Sequence, residues 1–293
     1  MFTIDHIVLP TSSLDRARRR LSLLGFTVAA DAAHPFGTGN TCVFMGDGTY
    51  LEPLSVVDAG LYERAIAAGN VFVAEDRHAR AVMGDEGFSA IALATKDARS
   101  DHERFSRAKL SGGEMLEFSR LVRLPDGSEK LARFRLAFAT RGDTDSFGVF
   151  TCQRLDPLPA DRAALERHEN GVSGLAEIVL VSEDAMAACV ERLQIMFNGA
   201  ADSAADSHHV FSASNAVVTL FSTSAFKAEF AADAGFAALP VPRLTGAAIV
   251  FRVSDLTVTR AVLAANDVAF MDKGSRIVVA PAPGQGAVFA FEE

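Results

Sequence analysis

Two ionisable residues, His6 and Glu52, each interrupt an apolar run, in TIDHIVLP (3–10) and YLEPLSV (50–56). Runs rich in branched apolar residues predict strands, and a carboxylate buried in a strand needs a partner. An imidazole and a carboxylate on strands of one sheet could ligate Zn, Fe or Mn, or could transfer protons at a substrate carbon. The alternatives are a hydrogen-bonded core histidine and a salt bridge from Glu52 to an arginine such as Arg135.

Further polar residues could shape the substrate end of such a site. The loop HPFGTGN (34–40) contains His34 and Asn40, and it either borders a cleft or is only a turn. Arg135 follows Arg133 by two positions on a predicted strand, so both side chains point to one face. The guanidinium of Arg135 could clamp a substrate carboxylate or be solvated. We predict a substrate-binding role for His34, Asn40, Arg135 and Gln153.

Other reactive groups give weaker signals. Cys152 could be a nucleophile, but no base is evident beside it, and buried thiols are common. The sequence has no P-loop, no nucleophile elbow, no HExxH and no GxGxxG between a strand and a helix. We therefore expect no nucleotide cofactor.

Composition restricts the class of protein. The chain has 293 residues, 49% hydrophobic and 22% charged, which is typical of a soluble chain of about two domains. Its net charge of −9 disfavours nucleic acid as a partner. No run reaches the roughly 18 apolar residues of a membrane span, and the first residues lack the basic start of a signal peptide. Three cysteines without a CxxC pair favour a reduced, cytoplasmic location, so we expect a cytoplasmic protein with a small-molecule substrate.

A strand–helix unit recurs four times along the chain. Four strand-like runs align on Ile7, Ile91, Ile178 and Ile249. Six residues further on stand Ser13, Asp97, Asp184 and Asp255. Serine and aspartate favour the first position of a helix, and each is followed by a helix-like stretch and then by two or three strand-like runs. The pattern predicts an α+β fold made of four βαβββ modules.

The four modules group into two pairs. The polar segment DPLPADRAALERHENG (156–171) contains two prolines and is typical of a linker. We therefore predict an N-terminal domain at 1–157, a linker at 158–171 and a C-terminal domain at 172–293. A chain with two paired domains could be a monomer or a homodimer.

Paired βαβββ modules resemble the vicinal oxygen chelate superfamily, which includes glyoxalase I, extradiol dioxygenases and bleomycin-resistance proteins. The N-terminal part is similar, more narrowly, to the glyoxalase-like domain family. The segments that carry this likeness are DHIV (5–8), HPFGTGN (34–40), GDGTYLE (46–52), RFRL (133–136), FTCQ (150–153) and HENG (168–171). The resemblance implies two tandem glyoxalase-like domains with curved, incompletely closed mixed sheets.

The resemblance also implies a chemistry. In that superfamily, side chains of first and last strands hold a divalent metal that chelates adjacent oxygens of the substrate. His6 and Glu52 match two of these positions, which implies Zn, Fe, Mn, Ni or Mg and a lyase, isomerase or dioxygenase. In the second module the corresponding positions are Ala90 and Cys152, or Gln153 after a one-residue slip that would reverse its face.

The C-terminal modules lack comparable groups. Their corresponding residues are Glu177, Thr219, Ala248 and Ala290. We therefore expect the N-terminal domain to carry the site and the C-terminal domain to be structural. Because the ligand set is incomplete, a non-catalytic binding or sequestering protein of the bleomycin-resistance type is the alternative.

Overall fold

The computed structural model describes residues 1–123, 129–156, 162–182, 186–201, 203–205, 207–230 and 244–293. The helix cap predicted at Asp184 and the linker residues 158–161 lie outside these ranges. No helix within them is long and apolar enough to span a bilayer.

The N-terminal elements form one sheet with flanking helices. They are β1 (Ile4–Pro10), α1 (Leu14–Leu23), β2 (Ala32–Ala33), β3 (Thr38–Asn40), β4 (Val43–Phe44), β5 (Tyr50–Val56), α2 (Ala59–Ala67), α3 (Val71–Met83), β6 (Ala90–Ala94), α4 (Ala98–Arg107), β7 (Leu116–Arg123), β8 (Glu129–Ala139) and β9 (Gly148–Arg154). The strand order is β2-β3-β5-β1-β6-β9-β8-β7, and β4 also pairs with β5. We call this the N-terminal sheet.

The remaining elements form a second sheet of similar layout. They are β10 (Val172–Ser182), α5 (Met186–Phe197), β11 (Ser203–Ala205), β12 (His208–Ser212), β13 (Val217–Ser222), α6 (Thr223–Phe230), β14 (Thr245–Val253), α7 (Leu256–Ala265), β15 (Met271–Asp272), β16 (Arg276–Val279) and β17 (Val288–Glu292). The strand order is β11-β12-β13-β10-β14-β17-β16-β15. We call this the C-terminal sheet.

The strand pairing confirms the modular α+β fold. Strand β1 runs parallel to β5 and antiparallel to β6, and β10 pairs in the same way with β13 and β14. Ile7 faces Ile91 directly across β1 and β6, and Ile178 faces Ile249 across β10 and β14. Because residues that align in sequence also pair in space, the two modules of each sheet are related by a local two-fold axis.

Helix starts follow the predicted chemistry wherever the structure describes them. The side chains of Ser13, Asp97 and Asp255 each accept a hydrogen bond from a backbone N–H in the first turn of α1, α4 and α7. These bonds satisfy donors that the helix itself leaves unpaired. The caps fix where each chain segment leaves its first strand and becomes helical.

The two faces of the N-terminal sheet bury different cores. One core includes Ile7 and Leu51 and is continuous with buried residues of the C-terminal sheet. Across this junction the ring centroids of Phe26 and Phe251 are 5.1 Å apart. The opposite, concave face carries a separate cluster that includes Val8 and Phe150. Helices α2 and α3 contribute buried residues to that cluster, so they cover the concave face.

The concave face of the C-terminal sheet carries a hydrocarbon cluster, with the carboxylate of Glu177 3.6 Å from Arg276 beside it. Helix α6 brings Phe226 and Phe230, both essentially inaccessible, into a cluster with Val179, Val250 and Ala290.

Candidate functional site

A buried polar cluster occupies the concave face of the N-terminal sheet, and its first members are on β1. His6 pairs with Ala92 on β6, whereas Ile4 pairs with Leu93, so Asp5 is an extra residue in a β-bulge. In a regular strand, adjacent side chains point to opposite faces, but a bulge redirects one of them. The Asp5 carboxylate consequently lies with the His6 ring, and His6 Nδ1 donates to Asp5 Oδ1 at 2.7 Å.

Glu52 reaches the same ring from β5. The parallel register places Tyr50 beside His6 and Glu52 beside Val8. His6 Nε2 lies 3.4 Å from Glu52 Oε2, and Asn40 Nδ2 donates to Glu52 Oε1 at 2.6 Å. His6 and Glu52 are only 4% and 5% exposed. The imidazole therefore lies between two buried carboxylates.

His34 completes the cluster at the edge of the sheet. Its Nε2 lies 3.7 Å from Glu52 Oε1, and its Nδ1 lies 2.9 Å from the hydroxyl of Thr38. The His34 ring stacks on Phe36 and meets the edge of Phe118 on β7. His34 directly follows β2, and β2 and β7 are the two end strands of the sheet, so these ring contacts join its two edges into a barrel where backbone pairing does not.

Burial and neighbouring charge set the ionisation of the cluster. Burial opposes a charge on His6, but hydrogen bonds to Asp5 and Glu52 and their negative charges raise its pKa above the ordinary value. Burial alone would raise the pKa of Glu52, but the hydrogen bond and charge of His6 lower it to about 2. For His34, burial lowers the pKa to about 4 despite the charge of Glu52. The structure favours an imidazolium at His6, a carboxylate at Glu52 and a neutral His34.

The cluster continues towards solvent through Arg154. Its Nη2 lies 2.8 Å from both carboxylate oxygens of Asp5, and its side chain is 33% exposed. The Tyr50 ring stacks on His6 with a centroid distance of 4.5 Å. We call Asp5, His6, His34, Asn40, Glu52 and Arg154 the polar cluster.

Asp5 and Arg154 were not predicted as site residues, for different reasons. The bulge that turns Asp5 inwards depends on pairing with β6, so the residues around Asp5 in the sequence do not predict it. Arg154 shares the face of Cys152 by simple alternation, so the period of the strand could have found it. Cys152 itself is buried on the concave side, where burial and then the charge of Asp5 raise the pKa of its thiol.

The structure does not bring Arg135 or Gln153 to the polar cluster. Arg135 Nε donates to Glu117 Oε2 at 3.0 Å across β7 and β8. Gln153 accepts from the backbone N–H of Ala98 at 3.2 Å and donates to the carbonyl of Lys96 at 2.6 Å, so it supports the start of α4. Their strand neighbours point into the barrel, and the two-residue period turns these two side chains the other way.

The register also corrects the counterpart of Glu52 in the second module. Ile7 pairs with Leu51, and Ile91 pairs with Val149. The residue after Leu51 is Glu52 and the residue after Val149 is Phe150, so the counterpart is Phe150 and not Cys152. The predicted position, Cys152, is two residues too far along β9. The Phe150 ring lies 5.6 Å from the His6 ring, centroid to centroid.

The donor set of the polar cluster does not fit a divalent metal. His6 Nδ1 is hydrogen-bonded to Asp5 and its Nε2 lies 3.4 Å from Glu52 Oε2, so both ring nitrogens already have carboxylate partners. Both oxygens of Glu52 already face donors on His6 and Asn40, and the positions opposite are the hydrocarbon side chains of Ala90 and Phe150. Within the described ranges, no three His, Cys, Asp or Glu side chains are placed to hold an ion.

A small cavity adjoins the cluster beyond Phe72 and Phe150. These rings line it together with Val8 and Ala90, and the carboxylates and guanidinium of Glu75, Asp76 and Arg141 also reach it. Its volume of about 20 Å³ is enough for a water molecule. His6 itself is only 4% exposed, so a substrate atom reaches it only after neighbouring side chains move.

Comparison with known proteins identifies the fold independently. The profile of the glyoxalase-like domain family matches residues 4–196. A hypothetical protein from Staphylococcus aureus superposes with a TM-score of 0.68 at 13% identity, covering 100% of this chain and 99% of that one. A mutant of 4-hydroxymandelate synthase from Streptomyces coelicolor superposes with a TM-score of 0.60 at 14% identity, covering 99% and 92%.

A third structure extends the likeness to part of a larger protein. A xylose isomerase-like TIM barrel/4-hydroxyphenylpyruvate dioxygenase fusion protein superposes with a TM-score of 0.50 at 12% identity, covering 99% of this chain and 48% of that one. No curated protein matches the sequence. At these identities the solved structures establish the fold alone. The family profile covers most of the chain, and this protein belongs to the glyoxalase-like domain family.

Proposed function

We propose that this protein is an acid–base enzyme, an isomerase or lyase, that moves a proton at a carbon next to an oxygen function of a small molecule. The observation that carries the proposal is the His6 imidazole, held at Nδ1 by Asp5 and facing Glu52 through Nε2. A ring oriented by one carboxylate and directed at a second reacting group has the arrangement of an acid–base catalyst.

The proton inventory of an isomerisation balances on these residues. Glu52 takes a proton from a hydroxyl-bearing carbon next to a carbonyl, and His6 gives its Nε2 proton to the carbonyl oxygen, which yields an enediol and neutralises both side chains. Glu52 then gives its proton to the former carbonyl carbon, and His6 recovers a proton from the hydroxyl group of the other carbon. These two transfers complete the isomerisation. Asp5 keeps the Nδ1 proton in place throughout.

Substrate binding would also make Glu52 a stronger base. In the resting cluster, His6 lowers the pKa of Glu52 to about 2, and a carboxylate so stabilised accepts protons poorly. A substrate oxygen that takes the His6 hydrogen bond removes part of this stabilisation, and burial then raises the pKa of Glu52. The 3.4 Å contact between His6 and Glu52 is longer than a strong charge-assisted hydrogen bond, which favours such an exchange of partners.

The other half of the chain would then serve as support. We propose that residues 172–293 form the structural domain, because Phe226 and Phe230 cover much of the concave face where the N-terminal sheet has its polar cluster. The cores of the two sheets are continuous, so the C-terminal half would stabilise the scaffold of the site.

Proton exchange with solvent tests the proposed chemistry. Hydroxyacetone, dihydroxyacetone and glycolaldehyde are incubated in D2O with the parent protein, and loss of the carbon-bound proton signal is followed by NMR. We expect exchange above the buffer rate for at least one compound, and its loss in Glu52→Gln and His6→Gln. Exchange at the buffer rate for all three compounds, or unchanged exchange in Glu52→Gln, contradicts the proposal.

Non-catalytic binding is the second candidate function, and one observation favours it. Every carboxylate of the polar cluster already has a partner, and the cluster is almost fully buried. A sequestering protein would hold its ligand without bond changes, so Glu52→Gln would leave both ligand binding and the absence of exchange unaltered.

A further inference from the structure

Three half-buried arginines, Arg120, Arg154 and Arg162, lie at one end of the N-terminal barrel, which we call the arginine end. Arg120 lies on β7 opposite Ala132, in the inward-facing series that includes Phe118, and its guanidinium carbon is 5.7 Å from the Phe134 ring centre. It is near enough to His34 and Cys152 for its charge to lower the pKa of both groups. Arg120 therefore points into the barrel beside the polar cluster.

Arg162 reaches the same end through a stack of rings. Its guanidinium carbon lies 4.3 Å from the centre of the Phe44 ring. The Phe44 ring is 5.4 Å from Tyr50, which in turn stacks on His6 at 4.5 Å. Arg120 and Arg162 also both lower the pKa of the buried Cys42 thiol, so both charges act on one region of the barrel.

Only part of the positive charge at this end has an ion-pair partner among the described residues. Arg154 is paired with Asp5, but within the described ranges the side chains of Arg120 and Arg162 make neither an ion pair nor a hydrogen bond. Glu166 acts on Arg162 only through space, while burial and then the charge of Arg154 lower the pKa of Arg162. Other half-buried arginines of the chain, such as Arg192 and Arg276, do have carboxylate partners.

Partly buried guanidiniums without a counter-charge are costly, and they bind carboxylate and phosphate oxygens in a fixed, planar geometry. We propose that the arginine end binds the oxyanion group of the substrate, a carboxylate or a phosphate ester, through Arg120 and Arg162. The rings of Phe44 and Phe134 beneath these guanidiniums would pack against the hydrocarbon next to that group. The assignment to the substrate rests on the proposed function, whereas oxyanion binding itself does not.

Matched small probes test the charge requirement. Phenylacetate and phenyl phosphate carry the two oxyanions, and 2-phenylethanol is an uncharged analogue of similar size; each is titrated by calorimetry at low ionic strength. We expect at least one anion to bind the parent protein more tightly than the alcohol. The tighter anion identifies which oxyanion the site takes.

Charge-removing variants locate the site. Arg120→Met and Arg162→Met keep most of the apolar stem, and we expect each to raise the Kd of the preferred anion by about tenfold or more, the value of one charge-assisted contact. Arg107→Met, at an exposed arginine in the last turn of α4, should leave the Kd unchanged. Anion binding no tighter than alcohol binding, or the same Kd in all three variants, overturns the proposal.

The same titration separates this proposal from the proposed function. Glu52→Gln keeps both arginines and loses the base, so it should bind the anion at least as tightly as the parent protein. Anion binding that depends on Arg120 and Arg162, in a protein without proton exchange, would contradict the acid–base chemistry and leave the oxyanion site intact. An equal Kd for the preferred anion in Arg120→Met, Arg162→Met and the parent protein, in a protein that does catalyse proton exchange, would do the opposite.

Discussion

His6 Nε2 lies 3.4 Å from Glu52 Oε2 on the concave face of the N-terminal sheet. The two residues are 46 positions apart in the sequence and come together because β1 and β5 are parallel neighbours, with Tyr50 beside His6 and Glu52 beside Val8. Both side chains are buried. At the Nε2 side of the ring, the positive charge of His6 and the negative charge of Glu52 therefore stabilise each other. The pair therefore links the stability of the barrel to its proposed chemistry.

Removing either partner should destabilise the protein. We expect His6→Gln and Glu52→Gln each to lower the free energy of unfolding by about 3–5 kcal/mol, because each leaves a buried charge without its partner. The double variant should lose less than the sum, and urea unfolding of all four proteins measures the coupling. Glu63→Gln, which alters an exposed pair with Arg77, is the control and should change stability little. Additive losses at His6 and Glu52 would show that the two side chains do not interact.

Asp5→Asn should separate positioning from proton transfer. An amide keeps the shape of the carboxylate but loses its charge, so the pKa of His6 should fall, which an NMR titration of the ring measures directly. If the acid–base proposal holds, kcat should fall with little change in KM, because Asp5 does not itself meet the substrate. Asp58→Asn, a change at the exposed cap of α2, provides the control. An unchanged His6 titration would show that Asp5 does not hold the ring.

Cys42 and Cys152 should be unreactive in the folded protein. Burial raises the pKa of Cys42 to about 12, and burial with the nearby charge of Asp5 raises that of Cys152; only thiolates react quickly. Iodoacetamide at pH 8 should therefore label neither residue in native buffer and all three cysteines in urea, as mass spectrometry can count. Rapid labelling of Cys152 in native buffer would contradict this prediction and support Cys152 as a nucleophile.

Sequence patterns predicted the parts of the fold that depend on local chemistry. The alignment of Ile7 with Ile91 reappears as direct pairing, because strand periods and helix caps are written in a few neighbouring residues. Cross-strand geometry could not be predicted from one strand alone. The bulge at Asp5 exists only relative to β6. The counterpart of Glu52 is Phe150 because Ile91 pairs with Val149. Arg135 and Gln153 have suitable side chains, but alternation along β8 and β9 turns them away from the polar cluster.

Chelation should not affect the protein, because the polar cluster does not offer a divalent metal a full set of ligands. His6 has carboxylates at both ring nitrogens, and the second module offers Ala90 and Phe150 where further ligands would be needed. We expect elemental analysis of protein purified without chelator to show no stoichiometric metal, and EDTA to leave the Tm unchanged. Stoichiometric metal that is lost in both His6→Ala and Glu52→Ala would contradict this expectation and favour a metalloenzyme.

Stability should fall in mild acid because of His34. Its pKa is about 4 in the folded protein, from burial that outweighs the charge of Glu52, against an ordinary value of about 6.5 in the unfolded chain. The folded state therefore resists protonation at this ring, so the contribution of His34 is complete above pH 6.5 and disappears as the pH falls from 6.5 to 4. A shift of this size corresponds to about 3 kcal/mol. Urea unfolding at a series of pH values measures the loss of unfolding free energy in acid, and this loss should be smaller by that amount in His34→Gln than in the parent protein. His208→Gln, outside the polar cluster, should follow the parent curve. Equal acid slopes for His34→Gln and the parent would mean that His34 is not held neutral in the fold.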